Sequence, residues 1–317
     1  MSHQVLARKW RPKNFDSLVG QENTVQALVN ALDQERLHHA YLFTGTRGVG
    51  KTTLARILAK SLNCEKGISS NSCGECSSCL AVDKGNFVDL IEVDAASNTK
   101  VDEMRELLEN SQYAPTSGRF KVYIIDEVHM LSNSAFNAML KTLEEPPEHI
   151  KFILATTDPK KLPVTVLSRC LQFNLKQMTV EKISNHLDMI LGEEKIKFEK
   201  KALGLISKSA KGSMRDALSI LDQAIAYSGN EISEEKISEM LGVVDNNFLT
   251  EILFKLSENK GDDLIEIGCG MNDKNIALDS TLDDLASLIH RVSVYQVAPS
   301  NEPVSYTHLT LPTKRIV

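Results

Sequence analysis

Apolar residues recur along this chain in two alternating patterns. Short runs rich in β-branched and aromatic residues predict buried strands at Tyr41-Leu42-Phe43-Thr44, Asp89-Leu90-Ile91-Glu92-Val93-Asp94, Lys121-Val122-Tyr123-Ile124-Ile125-Asp126 and Phe152-Ile153-Leu154-Ala155-Thr156-Thr157. Between them, apolar residues fall three and four apart, the spacing of one helix face. Val25, Leu28, Val29 and Leu32 form one such set, and Leu54, Ile57, Leu58 and Leu62 another. Met104, Leu107 and Leu108 mark a helix ending near Pro115, and a helix from about Ser134 carries Phe136, Met139, Leu140 and Leu143 until Pro146-Pro147 stops it. Strands and helices alternating at these lengths predict an α/β fold with a parallel sheet flanked by helices.

The pattern changes near Met178. Helices are expected over Val180–Leu191, Lys200–Ser209, Ser213–Tyr227 and Ser233–Leu241, with little strand. Met214, Ala217, Leu218, Leu221 and Ile225 line one face of the third. From about Val243 a further helical segment begins, with Leu285, Leu288, Ile289 and Val292 in register. The expected organisation is therefore a nucleotide-binding domain over 1–178, a small helical domain over 179–242 and a partial helical domain over 243–303. Residues 304–317 are expected to be a non-native tail, because Val304–Thr313 back-translates into a transposon adapter.

The chemistry starts between the first strand and its helix. Gly45-Thr46-Arg47-Gly48-Val49-Gly50-Lys51-Thr52 fits G-x-x-x-x-G-K-[ST], the phosphate-binding P-loop. Glycines let backbone N–H groups wrap a phosphate, and the helix N-terminus adds its positive dipole end. In this motif Lys51 reaches the β- and γ-phosphates and Thr52 offers its hydroxyl to Mg²⁺. Ile124-Ile125-Asp126-Glu127 fits the second nucleotide motif, an apolar strand tipped with acids. Asp126 can help hold Mg²⁺, and Glu127 is placed to orient or deprotonate an attacking water.

Composition adds limits. The chain has 317 residues, 42% hydrophobic and 25% charged, as an ordinary globular protein does. No apolar run approaches the ~20 residues of a membrane span, and the N-terminus lacks a signal-peptide core, so a cytoplasmic protein is expected. The net charge of -6 gives no global attraction to nucleic acid, leaving any DNA contact to local patches. Of six cysteines, Cys64, Cys73, Cys76 and Cys79 cluster within a Gly- and Ser-rich stretch. In a reducing compartment such a cluster predicts metal rather than disulfides, and four thiolates make a closed, structural zinc site. Cys170 and Cys269 stand alone and are expected to be core or incidental.

Gly45–Thr53, Asp126-Glu127-Val128-His129, Ala155-Thr156-Thr157-Asp158 and Leu167-Ser168-Arg169-Cys170 together resemble the AAA+ clamp-loader ATPases. Ala7-Arg8-Lys9-Trp10-Arg11-Pro12, the four inserted cysteines, Leu143-Glu144-Glu145-Pro146-Pro147-Glu148-His149 and Gly212-Ser213-Met214-Arg215-Asp216-Ala217-Leu218 narrow the resemblance to the gamma/tau family of bacterial DNA polymerase III subunits, from about Val5 to Val297.

The resemblance implies an AAA+ P-loop sheet, a helical lid and part of the collar that oligomerises these subunits. It makes Thr157 the sensor at a strand tip, Arg215 a lid arginine approaching its own subunit's nucleotide, and Arg169 a finger acting in trans on a neighbour's γ-phosphate. Arg11, Pro12 and Val19 would enclose the adenine, beside Gly45, Thr46, Arg47, Gly48, Val49, Gly50, Lys51, Thr52 and Thr53 on the phosphates. The implied activity is ATP hydrolysis within the DNA polymerase III holoenzyme, with ATP and Mg²⁺, driving a ring-shaped sliding clamp (beta) open and onto primed DNA. The implied partners are delta and delta-prime subunits and other gamma/tau copies, with no membrane. Two alternatives stand beside it: a non-hydrolysing stator like delta-prime, which has no need of both intact nucleotide motifs, and an AAA+ motor that moves DNA, for which the cysteine insertion is foreign.

Overall fold

The computed structural model describes residues 5–97, 110–229, 231–242, 246–273 and 278–297. The helix expected around Met104 and the tail at 304–317 lie outside the described residues. The chain divides into two compact units, 1–234 and 235–317.

The first unit is built on five parallel strands: β1 (Ala40–Thr44), β2 (Leu90–Asp94), β3 (Lys121–Asp126), β4 (Ile150–Thr156) and β5 (Leu171–Asn174), in the order β2-β3-β4-β1-β5. Every residue of β1 and β4 is buried, because helices cover both faces of a parallel sheet. On one face Leu42, Ile125 and Leu154 pack against Phe136, Met139 and Leu143. On the other, Phe43, Ile124 and Ile153 pack against Leu28, Leu54 and Leu58. The single alternation of strand side chains thus feeds two cores.

Helices α1 (Glu22–Asp33), α2 (Lys51–Leu62), α3 (Ser77–Lys84) and α4 (Asn133–Glu144) accompany the sheet. The Ser132 hydroxyl caps α4 by accepting the Ala135 N–H. Strand boundaries differ slightly from the sequence reading: β1 begins at Ala40, and β4 spans Ile150–Thr156. β2 begins after Asp89, whose carboxylate accepts the N–H groups of Thr116, Ser117 and Gly118 instead of standing on a strand face. β5 lies outside the strands that the sequence predicts: Leu171-Gln172-Phe173-Asn174 is only four residues long and largely exposed, and it forms by pairing beside β1, Thr44 opposite Asn174.

Three helices follow in the same unit: α5 (Val180–Glu194), α6 (Lys200–Ser209) and α7 (Met214–Ser228). They bury Ile183, Leu187 and Ile190, then Leu203 and Ile206, then Ala217, Leu221 and Ala224. Hydroxyls start two of them: Thr179 accepts the Lys182 N–H and Ser213 the Asp216 N–H. A short parallel pair, Lys197–Phe198 with Glu231–Ile232, is a further strand element of this region. The N-terminal turn Leu6–Lys9 is tied to these helices. The Leu6 N–H donates to Asp222 at 2.9 Å, and the Trp10 indole N–H to Glu194 at 2.8 Å.

Helix α8 (Glu234–Leu241) begins at the boundary between the units. In the second unit, α9 (Asn246–Ser257), α10 (Gly261–Asp273) and α11 (Leu278–Val297) meet around Leu249 and Met271, with Leu285 and Leu288 packed against them. Ile289 and Val292, expected on the same stripe, are exposed, so only half of that apolar face is covered among the described residues.

Candidate functional site

The carboxyl ends of β1, β3 and β4 bring the two nucleotide motifs together. The P-loop leaves β1 after Thr44, Asp126 ends β3, and Thr157 follows β4. This is the edge at which open α/β sheets bind ligands. The loop turns into α2 at Lys51, so the first-turn N–H groups of that helix face the loop.

Gly48 shows why the motif needs glycine. Its φ is +78°, and a Cβ there would lie 1.8 Å from the Ser213 hydroxyl. The loop therefore touches the first turn of α7, where Arg215 stands. Lys51 is buried, with its ammonium donating to the Gly45 carbonyl at 2.9 Å and the Thr46 carbonyl at 3.1 Å. Burial lowers its pKa, partly offset by Glu127 and Asp126.

The Thr52 hydroxyl donates to Asp126 Oδ2 at 2.6 Å. The two expected Mg²⁺ ligands thus already converge, an arrangement of hard oxygen donors that suits that ion. Asp126 Oδ1 accepts the Glu127 N–H at 3.0 Å. Glu127 itself sits at φ +47°, a conformation that turns its side chain away from the strand line. Its Oε2 accepts both the N–H and the hydroxyl of Thr157, at 3.0 and 2.8 Å. The His129 ring completes the cluster, Nδ1 lying 2.9 Å from Thr156 Oγ1 and 3.4 Å from Glu127 Oε2.

A cavity of about 460 Å³, within the size range of small-ligand sites, opens over Lys51, Thr52, Asp126 and Glu127, while Thr157 and His129 stand behind Glu127 and are not on its wall. Arg11, Pro12 and Val19 lie on its wall, as do Arg47, Gly48, Val49, Gly50, Lys51, Thr52 and Thr53, Asp126, Glu127 and Arg215. Gly45 and Thr46 are not among its lining residues; they act through the carbonyls that hold Lys51. The apolar part of the wall is supplied by Leu18, Met178, Met214 and Leu218, with His186, whose pKa burial lowers. Sequence reasoning missed His186 and Met178 as site residues, because each reads as an ordinary helix or linker position. Behind the P-loop, the buried Gln21 amide donates to the Lys176 carbonyl at 2.8 Å and to the Val49 carbonyl at 3.4 Å, while its oxygen accepts the Lys176 N–H at 3.1 Å.

Arg11 is positively crowded. Burial lowers its pKa first, and then Arg56 and Arg215 add to the effect. Its Nε donates to Thr53 Oγ1 at 3.3 Å. Arg169 is not on the cavity wall. Its guanidinium donates to Glu144 at 2.6 Å and to the Thr165 carbonyl at 2.7 Å, and it is half-exposed.

The four clustered cysteines form a separate site. Their sulfurs all lie within 4.8 Å of one another, with Cys73 and Cys79 Sγ 3.9 Å apart. Tetrahedral zinc with Zn–S bonds of about 2.3 Å needs sulfurs about 3.8 Å apart, so the cluster fits that metal. N–H groups of Glu75 and Cys76 pull the Cys73 thiol down to about 6, whereas burial pushes Cys79 up. Cys170 is buried, and its thiol is pushed up to about 12 by that burial; Cys269 is exposed rather than core. Among the described residues no helix is long and apolar enough to cross a membrane.

Comparison with known proteins agrees with this geometry. Residues 20–179 match the family described as DNA polymerase III, delta subunit, and residues 182–230 that of the DNA polymerase III clamp loader subunit, ATPase lid domain. The DNA polymerase III subunit tau/gamma of Haemophilus influenzae is 53% identical over 316 residues, covering 100% of this chain and 46% of that protein. The subunit tau of Escherichia coli is 54% identical over 300 residues, 95% of this chain and 47% of that protein. The subunit gamma of Buchnera aphidicola subsp. Baizongia pistaciae is 48% identical over 300 residues, 95% of this chain and 81% of that protein. The chain thus spans about half the length of the first two relatives. Among solved structures, the RuvB Holliday junction branch migration motor of Thermotoga maritima superposes with a TM-score of 0.54 at 21% identity, covering 80% of this chain and 81% of that one. That likeness shows a shared AAA+ fold.

Proposed function

The chain belongs to the gamma/tau family of DNA polymerase III subunits, and on that premise we propose that it is the ATP-hydrolysing motor of a clamp loader. The observation that carries this reading is the Thr52–Asp126 pair, 2.6 Å apart, with Glu127 beside it at the mouth of an intact P-loop. A subunit that only bound its neighbours would have no use for that combination.

In this reading residues 1–178 form the nucleotide-binding domain, with the cysteine insertion at 64–79, residues 179–242 the lid, and residues 243–303 part of a collar. ATP lies in the cavity, its adenine against Arg11, Pro12, Val19 and the apolar wall. P-loop N–H groups and Lys51 take the phosphates, and Lys51 releases the Gly45 and Thr46 carbonyls as it does so. Mg²⁺ neutralises charge on the β- and γ-phosphates when bound; Thr52 and Asp126 are the groups that would hold it. Glu127 orients the attacking water and draws its proton, and Thr157 fixes the Glu127 carboxylate. Arg215 approaches the phosphates from the lid of the same subunit. Arg169 lies outside its own cavity and would exchange Glu144 and the Thr165 carbonyl for a neighbour's γ-phosphate, where a cation stabilises transition-state charge.

Zn²⁺ on Cys64, Cys73, Cys76 and Cys79 would brace the insertion, with no open position for substrate. The partners are delta, delta-prime and other gamma/tau copies, the sliding clamp and primed DNA, in the cytoplasm. The test is ATP turnover with delta and delta-prime added, with and without clamp and primed DNA. Strong stimulation that Arg169→Ala removes is the expected result. Turnover indifferent to the clamp and to Arg169 would sink the clamp-loading role and leave a general AAA+ ATPase.

A further inference from the structure

A second cavity, of about 360 Å³, lies beside the first and shares Arg8, Arg11, Pro12 and Thr53 with it. Its lining is strongly cationic in a chain whose net charge is -6. Arg8, Arg11, Lys13 and Lys84 line it; Arg11 is attracted by Glu92 and Asp126 at longer range. Three more cations on the wall have a carboxylate partner. Lys9 pairs with Glu194, Arg56 with Glu92, and the buried Lys60 with both oxygens of Asp83 at 2.9 and 2.7 Å. Asp83 is the one acid on the wall among the described residues.

Two observations say that these charges are not merely solvated. The Arg56 Nε–H is buried and finds no acceptor, an arrangement that costs free energy until an acceptor arrives. Arg11 is half-buried, and burial with the nearby Arg56 and Arg215 outweighs the attraction of Glu92 and Asp126, so a further anion on the cavity side would be favoured. Packing also holds the cavity in shape. Lys60 donates to the Lys13 carbonyl at 3.3 Å, fixing the N-terminal segment to α2 on one side while Asp83 fixes α3 on the other. The cations are therefore presented by three elements, not by one flexible tail.

We propose that this cavity is a binding site for a polyphosphate anion, distinct from the P-loop. Guanidinium groups offer paired N–H donors that match phosphate oxygens, and the flanking lysines add point charges. The apolar wall is limited to Pro12, Ile57 and Val82, with no aromatic ring on which a base could stack. The ligand is therefore read through its phosphates, whether free in solution or strung along a nucleic-acid backbone. Arg11 stands in both cavities, so an anion here would also neutralise charge next to the nucleotide site.

The test uses the full chain carrying Lys51→Ala, which removes phosphate binding at the P-loop. Inorganic pyrophosphate and a single-stranded oligothymidylate are titrated separately, by calorimetry and by the fluorescence of Trp10, the only tryptophan in the sequence. The charge-reversed variant Lys13→Glu/Lys84→Glu changes two exposed, unpaired cations, and Lys13→Arg/Lys84→Arg is its conservative partner. Binding that weakens roughly tenfold or more in the first and persists in the second supports the site. If pyrophosphate shows this pattern the source is a free polyphosphate; if only the oligonucleotide does, it is a nucleic-acid backbone. Absence of binding by either probe, or binding indifferent to charge reversal in a variant with an unchanged melting temperature, overturns the proposal. Should charge reversal lower the melting temperature, Lys13→Gln/Lys84→Gln replaces it and is read by the same criterion.

Discussion

Glu127 and Thr157 are joined twice: one carboxylate oxygen accepts both the backbone N–H and the hydroxyl of Thr157, at 3.0 and 2.8 Å. The two residues come from the ends of neighbouring strands, and the bonds fix the orientation of the Glu127 carboxylate, the group proposed to act on the attacking water. Thr157→Val keeps the shape and the backbone donor while removing the hydroxyl. Turnover of ATP should fall roughly tenfold to a hundredfold, as expected when a reacting group loses its orientation, with nucleotide affinity little changed. Glu127→Gln should bind ATP as tightly and turn it over ~10²–10⁴-fold more slowly. Single-turnover kinetics with a binding titration separate the two quantities; unchanged turnover in Thr157→Val would remove the positioning role.

Gly48 couples the loop to the lid. Its φ of +78° and the 1.8 Å approach of a Cβ to the Ser213 hydroxyl leave no room for a side chain. Gly48→Ala should lower stability by about 1–3 kcal/mol through backbone strain and the clash, and should weaken nucleotide binding. Ser213→Ala alone loses a helix cap worth about 1 kcal/mol. Combined with Gly48→Ala it should cost less than the sum, because it removes the hydroxyl at 1.8 Å, although the Ser213 Cβ at 2.8 Å remains close. Thermal melts of the four proteins give the coupling; strict additivity would show that the two residues do not meet.

What the sequence revealed and what it hid divide by distance along the chain. The P-loop, the Asp126-Glu127 pair and the cysteine cluster are local motifs whose chemistry sits within a few residues, and the described strands β1 to β4 are long apolar runs. β5 escaped notice because an edge strand needs neither apolar content nor length once β1 offers it hydrogen bonds. The site's supports were illegible for a different reason. Trp10 meets Glu194 and Gln21 meets Lys176 only after folding, 184 and 155 residues apart. The second cavity was hidden in the same way: Arg8 and Lys13 join Arg56, Lys60 and Lys84 only once the N-terminal segment packs on α2 and α3.

Asp89 predicts an acid sensitivity. It is buried, which by itself raises its pKa, but three amide N–H groups at Thr116, Ser117 and Gly118 outweigh that and hold it below the usual carboxylate range. A depressed folded-state pKa means that the stabilisation is present above the unfolded value of about 3.9 and is lost as pH falls through the folded one. Asp89→Asn puts an NH₂ against N–H donors and should cost about 2 kcal/mol at neutral pH. Urea melts across pH should show the gap between the two proteins closing as pH falls below about 4. A gap independent of pH would mean that the carboxylate's charge is not what Asp89 contributes.

The cysteine cluster predicts a metal whose loss is local. Cys64, just after α2, and Cys79, within α3, are buried, while Cys73 and Cys76 are partly exposed on the insertion. The insertion has little apolar content of its own, so the metal supplies its shape. Binding requires thiolates, so affinity should fall as pH is lowered and protons compete with the metal. Chelation should raise amide exchange across residues 64–79 and leave ATP binding intact, since none of the four cysteines lies on the nucleotide cavity's wall. Cobalt(II) substitution gives the independent reading: four thiolates produce an intense charge-transfer band that Cys79→Ser should weaken. Protein made with adequate zinc that carries none, or chelation that abolishes ATP binding along with the loop's order, would refute a separate structural metal site.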